Sequence, residues 1–235
     1  MADDRLLVLY DNRSSSSTLQ PGWGFSALIE IGGYRVLFDT GADKLVLEHN
    51  ATALGVDLAT IDTLVLSHEH CDHIGALSSA LHKDLSVVYP VSFSQGLKKK
   101  VSAAHARSVQ VRKPIELSRD LFSTGELGTT IKEQSLIIST ASGPVLITGC
   151  AHPGIVEIAR TATDLAGEPL HLVLGGFHLY KSKDAEIKKI ADALRQLGVK
   201  TIGPCHCTGA HAIMLLQQVF GPDGLEVTAG TQISL

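Results

Sequence analysis

The sequence predicts an α+β fold, two mixed β-sheets packed together and covered by helices, in a single domain over residues 1–235. Three observations carry this. Short β-rich runs crowd the first third of the chain, whereas strands and helices alternate from residue 151 onward. No repeat, low-complexity linker or shift in composition divides the two textures, and a hydrophobic content of 44% is ample for a buried core.

Taken in order, "RLLVLYD", "FSALIEIGG" and "YRVLFDTG" read as an antiparallel meander, with Gly32-Gly33 as a hairpin turn and the serines at 14–17 as a loop within it. "DKLVLEHNATALGV" carries helix formers and stops at Gly55. "IDTLVLS" is a continuous apolar run, the pattern of a strand buried on both faces. "IGALSSALHK" reads as helix, "LSVVYP" as strand and residues 93–107 as helix. "TTIKEQSLIIST", the turn "ASG" and "PVLITG" make a second hairpin. Beyond it, "GIVEIARTATDLAG" is helical, "LHLVLGG" a strand, and "DAEIKKIADALRQLG" an amphipathic helix with Ile187, Ile190, Ala191, Leu194 and Leu197 on one face. "VKTIGP" is a strand and "GAHAIMLLQQVFG" a helix, with β character in "LEVTAG" and "TQISL".

Composition bounds the setting. "MADDRLLVLYDNRSSSS" starts acidic and its apolar run ends at Tyr10, unlike a signal peptide, and no apolar run approaches the roughly 20 residues of a membrane span. A cytoplasmic protein without a membrane partner is expected. The net charge of -4 gives no reason to expect nucleic acid. The charge is uneven: Leu85 to Ile115 holds no Asp or Glu but contains Lys98, Lys99, Lys100, Arg107, Arg112 and Lys113. That stretch reads as a solvated helical face, or as a rim that attracts a phosphate or carboxylate.

The chemistry gathers in "LVLSHEHCDHIGAL", where His68, His70, Asp72 and His73 place four potential ligands in six residues at the end of an apolar strand. His68 and His70 leave the strand with period two, so both imidazoles face one side and Glu69 the other. Asp72 and His73 sit where the chain turns into the next helix and can aim at a second, nearby point. A lone histidine is usually a surface or satisfied core group. Four such groups at the end of a buried strand are costly unless something satisfies them, and imidazole with carboxylate suits zinc, manganese or iron.

Further donors follow later apolar runs: His152 with Cys150 in "VLITGCAHPGI", and His206 between Cys205 and Cys207 in "VKTIGPCHCTGAH". His178 in "LVLGGFHLY" is a candidate ligand, proton-transfer group or substrate contact. The four cysteines, Cys71, Cys150, Cys205 and Cys207, lie within two positions of a histidine, which suggests reduced thiols near a metal; buried small apolar residues are the plainer alternative. Asp39 in "LFDTG" can orient a ligand imidazole through its second nitrogen. "FDTG" occurs once, which argues against an aspartic-protease pair, and no P-loop or dinucleotide spacing occurs.

With "HEHCDH" after a strand, "FDTG" before it and histidines at later strand ends, the chain resembles the metallo-β-lactamase superfamily, whose loop motif is HxHxDH. "FDTG", "LSHEHCDHIGAL", "TGCAHPGI", "GGFHL" and "PCHCTG" are together similar to its dihydropterin synthase-like branch. The resemblance implies an αββα sandwich with two divalent ions at one edge. It also implies that His68, His70 and His152 hold one ion and Asp72, His73 and His206 the other. The better-known hydrolases have a histidine before the strand matched by "SLIIS" and a bridging aspartate after the strand matched by "VLITG". This chain has Glu133 and Cys150 at those places, so either is an alternative ligand.

The expected activity is hydrolysis of a small anionic ester, lactone or phosphoester by metal-activated hydroxide, with Asp72 as ligand and proton acceptor and His178 in proton transfer or substrate contact. The alternative from the resemblance is a transferase joining a dihydropterin to ribofuranosylaminobenzene phosphate, with Trp23, Phe93 and Phe177 as candidate ring contacts. A third is a non-catalytic metal-binding protein.

Overall fold

The computed structural model describes residues 4–235; Met1 to Asp3, part of the acidic start weighed above, lie outside the described residues. The chain divides into two compact units, one running to Arg112 with Thr228–Leu235 added, the other Lys113–Val227.

In the first unit, β1 (Arg5–Tyr10), β2 (Ser26–Ile31) and β3 (Tyr34–Phe38) form the expected antiparallel meander. Gly32 and Gly33 both have positive φ, which the tight turn between β2 and β3 requires. Helix α1 (Lys44–Ala53) starts at Asp43, whose carboxylate accepts the Leu45 and Val46 N–H groups. It is followed by β4 (Thr63–Val65), the short α2 (Cys71–Ile74) and α3 (Leu77–Ala80), β5 (Ser86–Pro90), α4 (Gln95–Ala103) and β6 (Arg107–Val111). The sheet runs in the order C-terminal strand Gln232–Ser234, β1, β2, β3, β4, β5, β6. It is antiparallel as far as β3 and parallel from β3 to β6. One face, carrying Leu7, Leu9, Leu28, Leu37, Leu64, Leu66, Val87 and Tyr89, packs on Leu47 and Ala51 of α1, Leu77 and Ala80 of α3, and Leu97 and Val101 of α4. β4 is fully buried, as its unbroken apolar run predicts.

Two expectations are corrected here. "IGALSSALHK" is not one helix, because the carbonyl of Asp72 accepts from Phe25 N–H (3.3 Å) and the N–H of Ala76 goes to Gly41 O (3.2 Å). Those contacts consume the i to i+4 bond that would have continued α2. Nor does helix extend to residue 107: His105 takes a left-handed φ of 56°, and Arg107 opens β6. The basic side chains Lys99, Lys100, Arg107 and Arg112 are exposed, while Lys98 Nζ donates to Val91 O at 2.8 Å.

In the second unit, β7 (Ile115–Ser118) and β8 (Leu121–Ser123) lie where the sequence pattern predicts no element. β9 (Leu136–Ile138) and β10 (Val145–Thr148) make the expected hairpin, with its first strand shorter than its apolar run suggested. Then come α5 (Ile155–Ala166), β11 (Leu172–Gly176), α6 (Asp184–Gln196), β12 (Thr201–Cys205) and α7 (Ala210–Phe220). This sheet, β12-β11-β10-β9-β8-β7, is again mixed: β10 to β12 are parallel and the rest antiparallel. Ile158 and Ala162 of α5, Ile187, Ala191 and Leu194 of α6, and Leu216 and Phe220 of α7 close over Leu146, Val173 and Ile202. "LEVTAG" forms no strand; within it only Ala229 makes an isolated bridge, and Gly224 just before it makes another.

In both units the donor-bearing loops leave the carboxyl ends of parallel strands, where open α/β sheets place ligands. Among the described residues no helix is long and apolar enough to cross a membrane.

Leu64 is fully buried on a strand flanked by β3 and β5. Leu64→Ala should lower unfolding stability by about 2–5 kcal/mol in urea titrations. A loss well under about 1 kcal/mol would mean that this face is not close-packed.

Candidate metal centre

In the first unit the site is organised by Asp39, which follows β3, is fully buried, and holds a left-handed φ of 56°. Its carboxylate accepts from Ser67 N–H (2.7 Å), Ser67 Oγ–H (2.6 Å) and His73 Nδ1–H (2.6 Å). Ser67 has one hydroxyl hydrogen and spends it on the carboxylate. Its Oγ, 2.9 Å from His68 Nδ1, therefore accepts from that ring. Both imidazoles are thus fixed as Nδ1–H tautomers with the Nε2 lone pair presented outward. His68 Nε2 lies 3.1 Å from His70 Nδ1. Two nitrogens bound tetrahedrally to one zinc at its usual bond length are roughly 3.3 Å apart, so the pair fits a shared ion. His73 Nε2 lies 3.8 Å from Asp72 Oδ2, and its ring centroid is 4.2 Å from that of His68. The four motif residues are therefore brought together as expected.

Glu69 points elsewhere. Its carboxylate accepts from Ser94 N–H at 2.6 Å and from the Ser94 hydroxyl, and Ser94 caps α4. The metal loop is also pressed on the turn after β3: a Cβ on Gly75 would meet Ala42 O at 2.1 Å, so only glycine permits this approach.

In the second unit, Glu133 is buried and accepts three successive backbone N–H groups, those of Cys150 (2.9 Å), Ala151 (2.9 Å) and His152 (2.8 Å). Considered above as an alternative ligand, it instead anchors the loop that carries two donors. The His152 and His178 rings lie 4.4 Å apart. Ala151, His178 and His206 have left-handed φ values of 58°, 53° and 48°. Such conformations cost on the order of 1 kcal/mol or more each and cluster at functional sites.

Cys207, as a thiol, donates to Cys150 O at 3.6 Å. Burial alone would raise its pKa, but hydrogen bonds from Cys150 and His178, with the electrostatic influence of the neighbouring His206, bring it down to about 5. Beside His152, a cavity of about 270 Å³ is lined by Gly128, Thr129, Thr130, Ile131, Pro153 and Glu157. Another, of about 280 Å³ by Ile115, Phe122 and Leu165, is lined by none of the donors.

Ser67 and the anchoring role of Glu133 are absent from the expectations. A hydroxyl directly before the motif is a usable signal for Ser67, whereas nothing local marks Glu133.

Mixed sheets with histidine-rich loops at the ends of their parallel strands define a metallo-β-lactamase type of protein. The model of the metallo-β-lactamase superfamily matches residues 20–206, and the chain belongs to that superfamily. It is 28% identical to the 7,8-dihydropterin-6-methyl-4-(β-D-ribofuranosyl)-aminobenzene-5′-phosphate synthase of Methanocaldococcus jannaschii, over 94% of this chain and 92% of that one. Among solved structures, the metal-dependent hydrolase of the β-lactamase superfamily Tm1679 matches with a TM-score of 0.84 and 30% identity over 99% of both chains. The metallo-β-lactamase fold protein YhfI of Bacillus subtilis matches with a TM-score of 0.71 and 16% identity, over 98% of this chain and 99% of that one, a likeness of fold alone.

Asp39→Asn should weaken metal binding by about 10- to 100-fold in competition with a chromophoric chelator, because His73 and Ser67 lose their shared acceptor. Unchanged affinity would show that another group orients His73. Glu133→Ala removes the partner of three buried amides and should cost at least about 1–3 kcal/mol of stability by thermal or urea unfolding. If amide exchange at residues 150–152 did not accelerate in that variant, the anchoring role would be wrong.

Proposed function

We propose that the protein is a metal-dependent hydrolase acting through two divalent ions, zinc foremost with manganese or iron as alternatives, on a small anionic ester, lactone or phosphoester. The observation that carries this reading is the network through which Asp39 leaves the Nε2 atoms of His68 and His73 presented as lone pairs, with His68 Nε2 3.1 Å from His70 Nδ1. The proposed ligands are His68, His70 and His152 for one ion and Asp72, His73 and His206 for the other. Motif order supports the assignment, and all six residues lie within the stretch matched by the superfamily model.

When bound, such ions supply a nucleophile of hydroxide strength from water near neutral pH and positive charge for a developing oxyanion. The chain's own groups do the rest. Asp72 is proposed as ligand and proton acceptor, His178 as the proton-transfer or substrate-contacting group from its exposed position, and the cavity beside His152 as room for a small substrate. The basic side chains from Lys98 to Lys113 would draw an anion in. A cytoplasmic setting goes with this reading; among the described residues no cysteine is in a disulfide, which supports it.

The 28% identity to a dihydropterin-linked synthase over nearly the whole chain favours a second reading, a transferase joining a dihydropterin to ribofuranosylaminobenzene phosphate.

Elemental analysis of protein purified without added metal, paired with phosphodiester, lactone and thioester assays, decides between them. Two ions per chain and turnover that a chelator abolishes are expected. His68→Ala should lose metal and turnover while its unfolding curve stays cooperative. One tightly held ion, no hydrolysis and condensation of the pterin pair would replace the hydrolase with the transferase. Metal without either activity would leave a binding protein.

A further inference from the structure

The second unit holds a donor cluster built around Cys150, the alternative ligand named above, with two residues, Cys207 and His178, that hold no ion in the proposed ligand set. Cys150 Sγ, Cys207 Sγ and a ring nitrogen of His178 all lie within 4.8 Å of one another. Both thiols are 2% exposed, whereas His178 is open to solvent, so the cluster has a protected sulfur side and an accessible side.

Several independent contacts assemble it. Glu133 anchors the loop bearing Cys150. Phe177 N–H donates to Thr208 Oγ1 at 2.9 Å, joining the residue before His178 to the residue after Cys207. Gly176 N–H donates to Gly149 O at 3.1 Å. Gly176 also leaves the space that the sulfur occupies: a Cβ there would stand 2.6 Å from Cys207 Sγ and 3.3 Å from Cys150 Cα. Most buried cysteines are inert apolar fillers. Here each thiol faces the other thiol and an imidazole, Cys207 faces the Cys150 carbonyl as well, and the backbone at Ala151 and His178 is held in conformations that cost free energy.

We propose that Cys150, Cys207 and His178 form a binding site for a thiophilic ion of the zinc, cadmium or copper(I) class, built on sulfur and sharing no residue with the six proposed imidazole and carboxylate ligands. Thiolate with imidazole selects such ions over magnesium, calcium or manganese. Each thiol gives up its proton to solvent as its sulfur becomes a ligand, and the ring nitrogen of His178 binds through its lone pair. The site does not depend on the hydrolase reading. One consequence does: an ion held there withdraws His178 from proton transfer, so cadmium, copper(I) or zinc beyond two equivalents would inhibit turnover.

The full chain titrated with Cd²⁺ should develop a sulfur-to-cadmium charge-transfer band. Cys150→Ser and Cys207→Ser should each remove about half of it or more, since each deletes one of two thiolates. Cys71→Ser and Cys205→Ser should leave it intact. So should His68→Ala, which disables the other ligand set and separates failure of this site from failure of the hydrolase reading. A band that needs Cys150 but not Cys207 would assign Cys150 to the other set and overturn the proposal, as would the absence of any band. X-ray absorption on the zinc-loaded unmutated chain avoids folding defects in the variants: a sulfur shell at about 2.3 Å is expected. A shell of nitrogen and oxygen alone overturns the proposal.

Discussion

The metal loop hangs on one buried carboxylate. Asp39 accepts from Ser67 twice and from His73 once, and through Ser67 it also sets the tautomer of His68. A carboxylate with no solvent exposure is tolerable only if its oxygens are filled, and these three donors fill them. The dependence runs both ways: without Asp39, a hydroxyl and two imidazoles lose the partner that decides which nitrogen carries the proton. A negative charge behind the rings also raises their basicity toward a cation.

Glu133 does for the second unit's backbone what Asp39 does for the first unit's side chains. Three consecutive N–H groups converge on it, which keeps Cys150 and His152 in place although Ala151 between them is left-handed. In both units the parallel strands supply rigid ends and a buried acid immobilises the loop that follows. The donors are thereby preorganised, so little conformational freedom remains to be lost when a ligand arrives.

What could be read in the sequence was what local pattern encodes. Four donors in six residues after a buried strand announced the loop, Gly32-Gly33 the hairpin, and the spacing of Ile187, Ala191 and Leu194 the buried face of α6. Asp39 was readable as an orienting group because it ends a strand beside the motif. What stayed hidden depends on partners distant in sequence. The break between α2 and α3 follows from Phe25 taking the Asp72 carbonyl, and Glu133 reaches across 17 to 19 residues to its amides. The meeting of Cys150 with Cys207 spans 57 residues. β7 is partly exposed and β8 is only three residues long, so neither builds a readable apolar pattern.

The chain's single tryptophan, Trp23, is 56% exposed, and its neighbour Phe25 donates its N–H to the carbonyl of Asp72. A Cβ on Gly24 would stand 2.5 Å from that same oxygen, so the segment lies directly on the metal loop. The indole thus sits one and two residues before the two backbone positions, Gly24 and Phe25, that bear on the loop. As the single tryptophan, it gives the chain one indole fluorophore, placed on the segment that abuts the metal loop.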